Sequence, residues 1–266
     1  MQSLDRPATI LFLHGFTGGG SSWEPVLAAL DERAPGEQRA LTPDLRGHGT
    51  ASTRQPVTLE GVLDDLEAEL SAAGVDRDRP FTLAGYSQGG RIALHAALDP
   101  RFSARIEHLV LISASPGLPS ARERAARREA DERLAAEFEL LTITELAARW
   151  AATPILGGIT EEQAGQAHRE RLRNTPAGLA AALRGLGTGA LPSLWERLGQ
   201  LTMATTLITG ERDLKFRELH RQMAGLIPQA STNTVPGAGH AVHLEAPEAV
   251  AELLRWSGEG PERARA

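Results

Sequence analysis

The chain contains no cysteine among its 266 residues. Disulfide bonds and thiolate metal sites are therefore excluded, no metal site is expected, and the composition fits a cytoplasmic protein. No uninterrupted apolar run is long enough to cross a membrane, so no membrane partner is expected. The first six residues also lack a basic stretch followed by an apolar one, and we expect no signal peptide.

Positive charge is also in short supply. Lys and Arg total 28 against 34 Asp and Glu, which gives a net charge of −6 and argues against a nucleic-acid partner. A small anionic substrate stays open, because local charge at a site can oppose the global sign. The hydrophobic content of 41% supports an ordinary core, and the length suits one large α/β domain or two small ones. The sequence points to no cofactor and does not reveal the oligomeric state.

Strand and helix patterns alternate along most of the chain. Strand patterns fall near 9–13, 38–43, 81–86, 107–113, 204–209 and 231–235, and helical patterns near 22–31, 58–73, 88–98, 214–226 and 246–257. This alternation predicts an α/β fold with a mostly parallel sheet and helices on both faces. Residues 119–201 are helical and rich in Ala, Arg and Glu. We interpret them as a helical cap inserted into a core made of 1–118 and 202–266.

A Gly-x-Ser-x-Gly sequence centred on Ser87 lies between a predicted strand and the apolar start of a helix. In that context the serine sits on a strained turn that lifts its hydroxyl out of the backbone. Gly85 and Gly89 are needed because side chains there would collide with the neighbouring strand or helix. The motif alone is only moderately specific, and its meaning depends on whether an Asp and then a His follow in suitable places.

Asp213 and His240 follow Ser87 in the chain, each just after a predicted strand. The order Ser, Asp, His is the triad order of the α/β-hydrolase fold. His240 would take the Ser87 proton, and Asp213 would hold the imidazole tautomer and support the imidazolium that forms. The alternative is an unrelated buried serine, turn aspartate and loop histidine, which the three strand-end positions disfavour.

The first predicted strand runs into His14-Gly15-Phe16-Thr17-Gly18. The N–H of Phe16 can join the N–H of Gln88 in an oxyanion hole. We interpret His14 as a residue that hydrogen-bonds this loop into shape rather than as a second catalytic histidine. The same interpretation applies to Asp44 and His48, which lie in a glycine-rich loop after the second predicted strand.

Together these motifs resemble the α/β-hydrolase superfamily over about residues 8–257. Finer features resemble one branch, the 2-succinyl-6-hydroxy-2,4-cyclohexadiene-1-carboxylate synthases of menaquinone biosynthesis. These features are the tyrosine before Ser87, the arginine four residues after it, and the run Glu-Arg-Asp-Leu-Lys-Phe at 211–216. The resemblance implies a lyase that eliminates pyruvate from 2-succinyl-5-enolpyruvyl-6-hydroxy-3-cyclohexene-1-carboxylate, with Ser87, His240 and Asp213 assisting proton abstraction.

The substrate that this resemblance implies carries three carboxylates, and arginine binds carboxylate in a fork geometry that lysine cannot match. The substrate-binding residues implied are Tyr86, Arg91, Arg124, Arg127, Trp150, Arg173 and Lys215. Arg91 lies one helical turn beyond Ser87 and can point back toward the pocket. Against a binding role for Arg124 and Arg127, residues 121–133 carry several i,i+4 ion pairs typical of a solvated helix. Lys215 has an alternative role in ordering the Asp213 loop.

Two other functions stay open at this stage. A serine carboxylesterase or related hydrolase would use Ser87 as a nucleophile and pass through an acyl-enzyme. A catalytically silent homologue of the same fold would bind a ligand as a receptor, but such a protein does not need an intact triad. Labelling by a serine-reactive phosphonate separates these classes, because it requires an activated serine.

Overall fold

The computed structural model describes residues 7–76, 78–153 and 159–255. Its strands are β1 (Ala8–Leu13), β2 (Gln38–Leu41), β3 (Phe81–Tyr86), β4 (Ile106–Ile112), β5 (Ala204–Gly210) and β6 (Ala230–Val235). Its α-helices are α1 (Glu24–Arg33), α2 (Leu59–Ala72), α3 (Gln88–Ala97), α4 (Ala121–Glu139), α5 (Ile143–Ala151), α6 (Glu161–Leu172), α7 (Pro176–Leu186), α8 (Leu214–Ala224), α9 (Val242–Glu245) and α10 (Pro247–Leu254). Within these ranges, no helix is both long and apolar enough to cross a membrane.

The strands form one parallel sheet in the order β2-β1-β3-β4-β5-β6. Parallel strands covered on both faces read as continuous apolar runs, and β3 is buried along its whole length. Residues from α2, α3 and α8 cover one face, and residues from α1, α9 and α10 cover the other. The predicted α/β fold with helices on both faces is confirmed.

Proline sets the start of the last helix. The helix expected at 246–257 is present as α10, and a separate short helix, α9, precedes it, because a residue before proline is pushed out of the helical region and Ala246 adopts φ −148° and ψ 62°. Pro247 then starts α10 at a position where its missing N–H costs nothing. Residues 256 and 257 of the predicted helix lie outside the described residues.

Helices α4 to α7 lie between β4 and β5 in the chain, and the described part of 119–201 contains no strand. Since β4 and β5 remain hydrogen-bonded neighbours, this insertion leaves the sheet continuous. The helices have an apolar cluster of their own that includes Phe138, Leu146 and Leu179. Ala182 and Leu186 of α7 pack in the hydrophobic core between the sheet and helices α2 and α3. Helix α7 therefore anchors the inserted helices on the sheet.

The turn between β3 and α3 brings backbone against backbone. Ser87 has φ 50° and ψ −106°, a conformation that L-residues rarely adopt. A Cβ on Gly85 would lie 2.6 Å from the carbonyl oxygen of Gly89, and a Cβ on Gly89 would lie 2.2 Å from that of Leu13. Both glycines are therefore needed for the turn to close.

Replacing Gly89 with alanine tests this steric requirement. Alanine is ordinarily better than glycine in a helix by about 0.5–1 kcal/mol, but here we expect destabilisation of about 1–3 kcal/mol from overpacking against fixed carbonyls. Urea unfolding measures the change. The matched control is Gly165→Ala in α6, whose Cβ would meet only the Arg169 side chain at 3.6 Å and should be neutral or stabilising. Equal stability of the two variants would contradict the steric account.

Candidate active site

Ser87, His240 and Asp213 form a connected hydrogen-bond chain. His240 Nδ1 lies 2.6 Å from Asp213 Oδ2, and His240 Nε2 lies 3.2 Å from Ser87 Oγ. A carboxylate only accepts hydrogen bonds, so Nδ1 carries the proton and Nε2 is free to accept the serine O–H. The His240 and Asp213 side chains are only 5% and 8% exposed. This arrangement can draw a proton from Ser87 or, through Ser87, from a bound molecule.

Asp213 is oriented by the helix that it begins. It is the N-cap of α8, and its Oδ1 accepts a hydrogen bond from the N–H of Phe216 at 3.3 Å. Capping satisfies a helix donor that would otherwise be unpaired, and it leaves Oδ2 for His240. The Phe216 ring also packs against the His240 ring at a centroid distance of 4.7 Å. The start of α8 thus positions both partners of Ser87.

Two backbone N–H groups beside Ser87 have no acceptor among the residues that the structure describes. Phe16 and Gln88 line the cavity around the serine, and neither N–H donates to a residue that the structure describes. Gln88 is the first residue of α3, where free N–H groups and the helix dipole favour negative charge. The pair is therefore suited to stabilise an anionic oxygen.

His14 holds the peptide that carries the Phe16 N–H. Its Nε2 accepts a hydrogen bond from the N–H of Leu45 at 2.9 Å, so Nδ1 bears the proton and donates to the Gly15 carbonyl, also at 2.9 Å. Burial lowers the pKa of His14, which keeps the ring neutral. The Gly15 carbonyl and the Phe16 N–H belong to one peptide plane, so this contact fixes the direction of the N–H. The loop-ordering interpretation of His14 agrees with these contacts.

The loop after β2 is ordered by Asp44. Its carboxylate accepts hydrogen bonds from the Gly20 N–H and from the N–H and hydroxyl of Thr50, each at 2.8 Å. His48 in the same loop is buried, and desolvation lowers its pKa to about 3. These two residues shape the loop, and their contacts are not directed at Ser87.

A cavity of about 750 Å³ lies over Ser87, a size typical of small-molecule sites. It brings together most of the predicted site residues: Phe16, Tyr86, Ser87, Gln88, Arg91, Arg127, Trp150, Lys215 and His240. Of its described lining residues, the charged ones other than histidine are Arg91, Arg127 and Lys215, and none is a carboxylate. The cavity is therefore cationic although the chain as a whole is acidic.

Arg91 is the most buried of these cations, with 8% of its surface exposed. Its Nη1 donates to the hydroxyl of Thr188, and its Nε has no hydrogen-bond partner in the described structure. Burial lowers the pKa of Arg91 to about 10, so the group is still charged at neutral pH. Arg127 is about half exposed, and its Nε donates to Asp131 Oδ1 at 2.8 Å.

Two predicted substrate arginines, Arg124 and Arg173, are not among the described residues that line this cavity. Arg124 donates through Nη1 to the carbonyls of Leu118 and Pro119, both at 2.8 Å. Arg173 bonds to the hydroxyl of Ser21 and forms ion pairs with Glu170 at 3.4 Å and Asp44 at 3.7 Å. In this structure both side chains tie loops and helices together.

Arg171, which the sequence analysis did not single out, is a buried guanidinium near Tyr86. It lines a cavity of about 50 Å³ that shares Phe16, Tyr86 and Trp150 with the larger one. Burial lowers its pKa, and its Nε has no described hydrogen-bond partner. The sequence shows only that Arg171 lies two residues before Arg173 in a helical pattern. This spacing does not reveal which of the two arginines faces the cavity.

A parallel sheet with a serine at a strand-to-helix turn, and with Asp and His at later strand ends, defines an enzyme of the α/β-hydrolase fold. The chain belongs to the alpha/beta hydrolase family, whose model matches residues 10–253. It is 32% identical to 2-succinyl-6-hydroxy-2,4-cyclohexadiene-1-carboxylate synthase of Escherichia coli O1:K1 / APEC, over 93% of this chain and 94% of that protein. The predicted resemblance is confirmed.

Two solved structures show how far the likeness extends. MenH from S. aureus superposes with a TM-score of 0.84 at 29% identity, covering 93% of this chain and 91% of the other. A thermophilic esterase from Thermogutta terrifontis superposes with a TM-score of 0.76 at 27% identity, covering 93% and 88%. The same core therefore occurs in a protein named as an esterase.

Proposed function

We propose that the protein eliminates pyruvate from 2-succinyl-5-enolpyruvyl-6-hydroxy-3-cyclohexene-1-carboxylate to give 2-succinyl-6-hydroxy-2,4-cyclohexadiene-1-carboxylate, a step of menaquinone biosynthesis. The observation that carries the proposal is the cationic cavity over Ser87, lined by Arg91, Arg127 and Lys215 without a described carboxylate. A substrate with three carboxylates complements such a cavity. The names of the synthase relatives support the same reaction.

In this proposal Ser87 acts as a base. Ser87 Oγ takes the ring proton α to the succinyl ketone while its own proton passes to His240 Nε2. The electron pair of the broken C–H bond moves into an enolate, whose oxygen accepts hydrogen bonds from the N–H groups of Phe16 and Gln88. Collapse of the enolate restores the ketone, forms the C2–C3 double bond, moves the C3–C4 double bond to C4–C5 and breaks the C5–O bond to the enolpyruvyl group. That group leaves as the pyruvate enolate and takes up a proton on carbon to give pyruvate, and His240 gives up the proton that it accepted, which regenerates the triad.

The cations have a separate role from the base. Arginine pairs with carboxylate through two parallel hydrogen bonds, which fix orientation as well as charge. Arg91 has an unused Nε in a buried place, and burying an unpaired charge is costly. A substrate carboxylate would complete its hydrogen bonding. Trp150 packs on Phe16 at a centroid distance of 4.9 Å and lines the cavity, where it would exclude water.

A serine carboxylesterase is the second candidate, favoured by the likeness to the Thermogutta terrifontis esterase. The same Ser87, His240 and Asp213 geometry would then attack an ester carbonyl and form an acyl-enzyme. A pyruvate-release assay on the cyclohexene substrate, run beside a panel of p-nitrophenyl esters, separates the two. Ester turnover with an accumulating acyl-enzyme and no pyruvate would support the esterase.

Ser87→Ala tests whether the serine carries the elimination. We expect pyruvate release to fall by about 10³-fold or more, because the reacting base is lost. Binding of the substrate to the variant, measured by calorimetry, should stay within about threefold of the wild-type value, since the cations are untouched. Near-normal turnover in this variant would contradict the proposed mechanism.

Arg127→Ala tests substrate capture. A hydrogen bond between charged groups contributes about 1.5–3 kcal/mol, so we expect kcat/KM for pyruvate release to fall about tenfold or more, mainly through KM. Arg127→Lys should give an intermediate value because it keeps the charge but loses the fork. The matched control is Arg122→Ala, an exposed position on the same helix, which should change kcat/KM by less than about twofold. Unchanged kinetics in Arg127→Ala would contradict a role in substrate binding and would indicate that this arginine belongs to a solvated helix face.

A further inference from the structure

The turn that carries the Phe16 N–H is held in a strained conformation. Thr17 has φ 65°, in the left-handed region that β-branched residues rarely adopt. The Gly18 N–H closes the turn onto the Gly15 carbonyl at 3.0 Å, and Thr17 is buried. Such a conformation persists only where its surroundings over-determine it.

Two side chains hold this turn, one through the residue before Phe16 in the chain and the other through the residue after it. His14 donates to the Gly15 carbonyl at 2.9 Å, and Asn174 Nδ2 donates to the Thr17 carbonyl at 3.0 Å. His14 belongs to the core and follows β1. Asn174 belongs to the inserted helices, where it lies between α6 and α7. The strained turn is therefore stabilised partly by the core and partly by the cap.

Asn174 is itself fixed on every side. It is 4% exposed, its Oδ1 accepts from the Gly49 N–H at 2.9 Å, and its Nδ2 also lies 3.2 Å from each of two carbonyls at the end of α6. Gly49 and Gly47 belong to the loop after β2. The start of α7 also packs closely against this loop, since a Cβ on Gly178 would lie 2.6 Å from the Gly47 carbonyl oxygen. The side chain thus connects the cap to the turn through short, buried contacts.

We propose that Asn174 is a positioning residue for the oxyanion hole, which makes the alignment of the Phe16 N–H depend on the docked cap. Displacement of the α6–α7 junction would remove the donor from the Thr17 carbonyl and allow the strained turn to relax. The inference rests on the proposed use of the Phe16 N–H as an oxyanion donor, and it holds for elimination and for ester hydrolysis alike.

Asn174→Asp tests the inference with little change in shape. The aspartate keeps an acceptor for the Gly49 N–H but places a carboxylate oxygen, with no proton to donate, against the Thr17 carbonyl. The readout is the second-order rate of Ser87 labelling by a fluorophosphonate, which requires the triad and the oxyanion hole but no cyclohexene substrate. We expect a fall of about 10- to 100-fold, the scale for misplacing a catalytic group. The midpoint of the pH–rate profile should not move, because the triad is intact.

The matched control is Gln163→Glu, the same amide-to-acid change at another cap–core contact. Gln163 Nε2 donates to the Leu244 carbonyl at 2.7 Å, away from the turn, and its Oε1 caps α6. Its labelling rate should stay within about twofold of wild type. Asn174→Ala gives a second, uncharged variant in case the aspartate prevents folding, with thermal unfolding measured for each protein.

Wild-type labelling rates in folded Asn174→Asp or Asn174→Ala would overturn the inference, as would an equal loss in Gln163→Glu. If Asn174 positions the oxyanion hole, kcat for pyruvate release should fall in Asn174→Asp while KM stays within about twofold of the wild-type value. Absence of pyruvate release from the wild-type protein would count against the proposed substrate alone, because the labelling rates do not depend on it.

Discussion

The backbone conformation of Ser87 is the constraint on which the site depends. Its φ of 50° is maintained because Gly85 and Gly89 pack against backbone carbonyls where β3 meets α3. This close packing leaves no room for another backbone conformation. The pairing of β1 with β3 then sets the loop after β1 beside the serine, and the loops after β5 and β6 bring Asp213 and His240. Sheet register, rather than any single side-chain contact, places the reacting groups.

Both the core and the inserted helices contribute to the cavity. In the proposed mechanism the core supplies the base, the N–H donors and two cations, Arg91 and Lys215, whereas α4 and the segment after α7 supply Arg127 and Thr188. The core is similar both to an esterase and to MenH, and one triad geometry can serve more than one reaction. In our proposal, the charge of the cavity wall is what favours an anionic substrate.

The sequence predicted the strands because buried parallel strands are apolar throughout. It also predicted that Ser87, Asp213 and His240 lie together, because each of them follows the end of a strand. The sequence alone could not show which of the arginines line the cavity. Arg124 and Arg127 share a helix face in the sequence, but only packing against the loop before α4 directs one to backbone carbonyls and the other to the cavity. Arg171 and Arg173 differ likewise by which side of α6 docks. Asn174 resembled an ordinary residue after a helix, because its partner Thr17 is 157 residues away.

The proposed mechanism requires Ser87 and His240 to remove a carbon-bound proton. Single-turnover pyruvate formation tests this step, with substrate deuterated at the ring carbon α to the succinyl ketone compared with unlabelled substrate by rapid quench. Enzyme in excess isolates chemistry from product release. We expect slower pyruvate formation from the deuterated substrate, with the mass of Ser87 unchanged in the quenched protein. Equal rates for the two substrates, or a covalent adduct on Ser87, would contradict it.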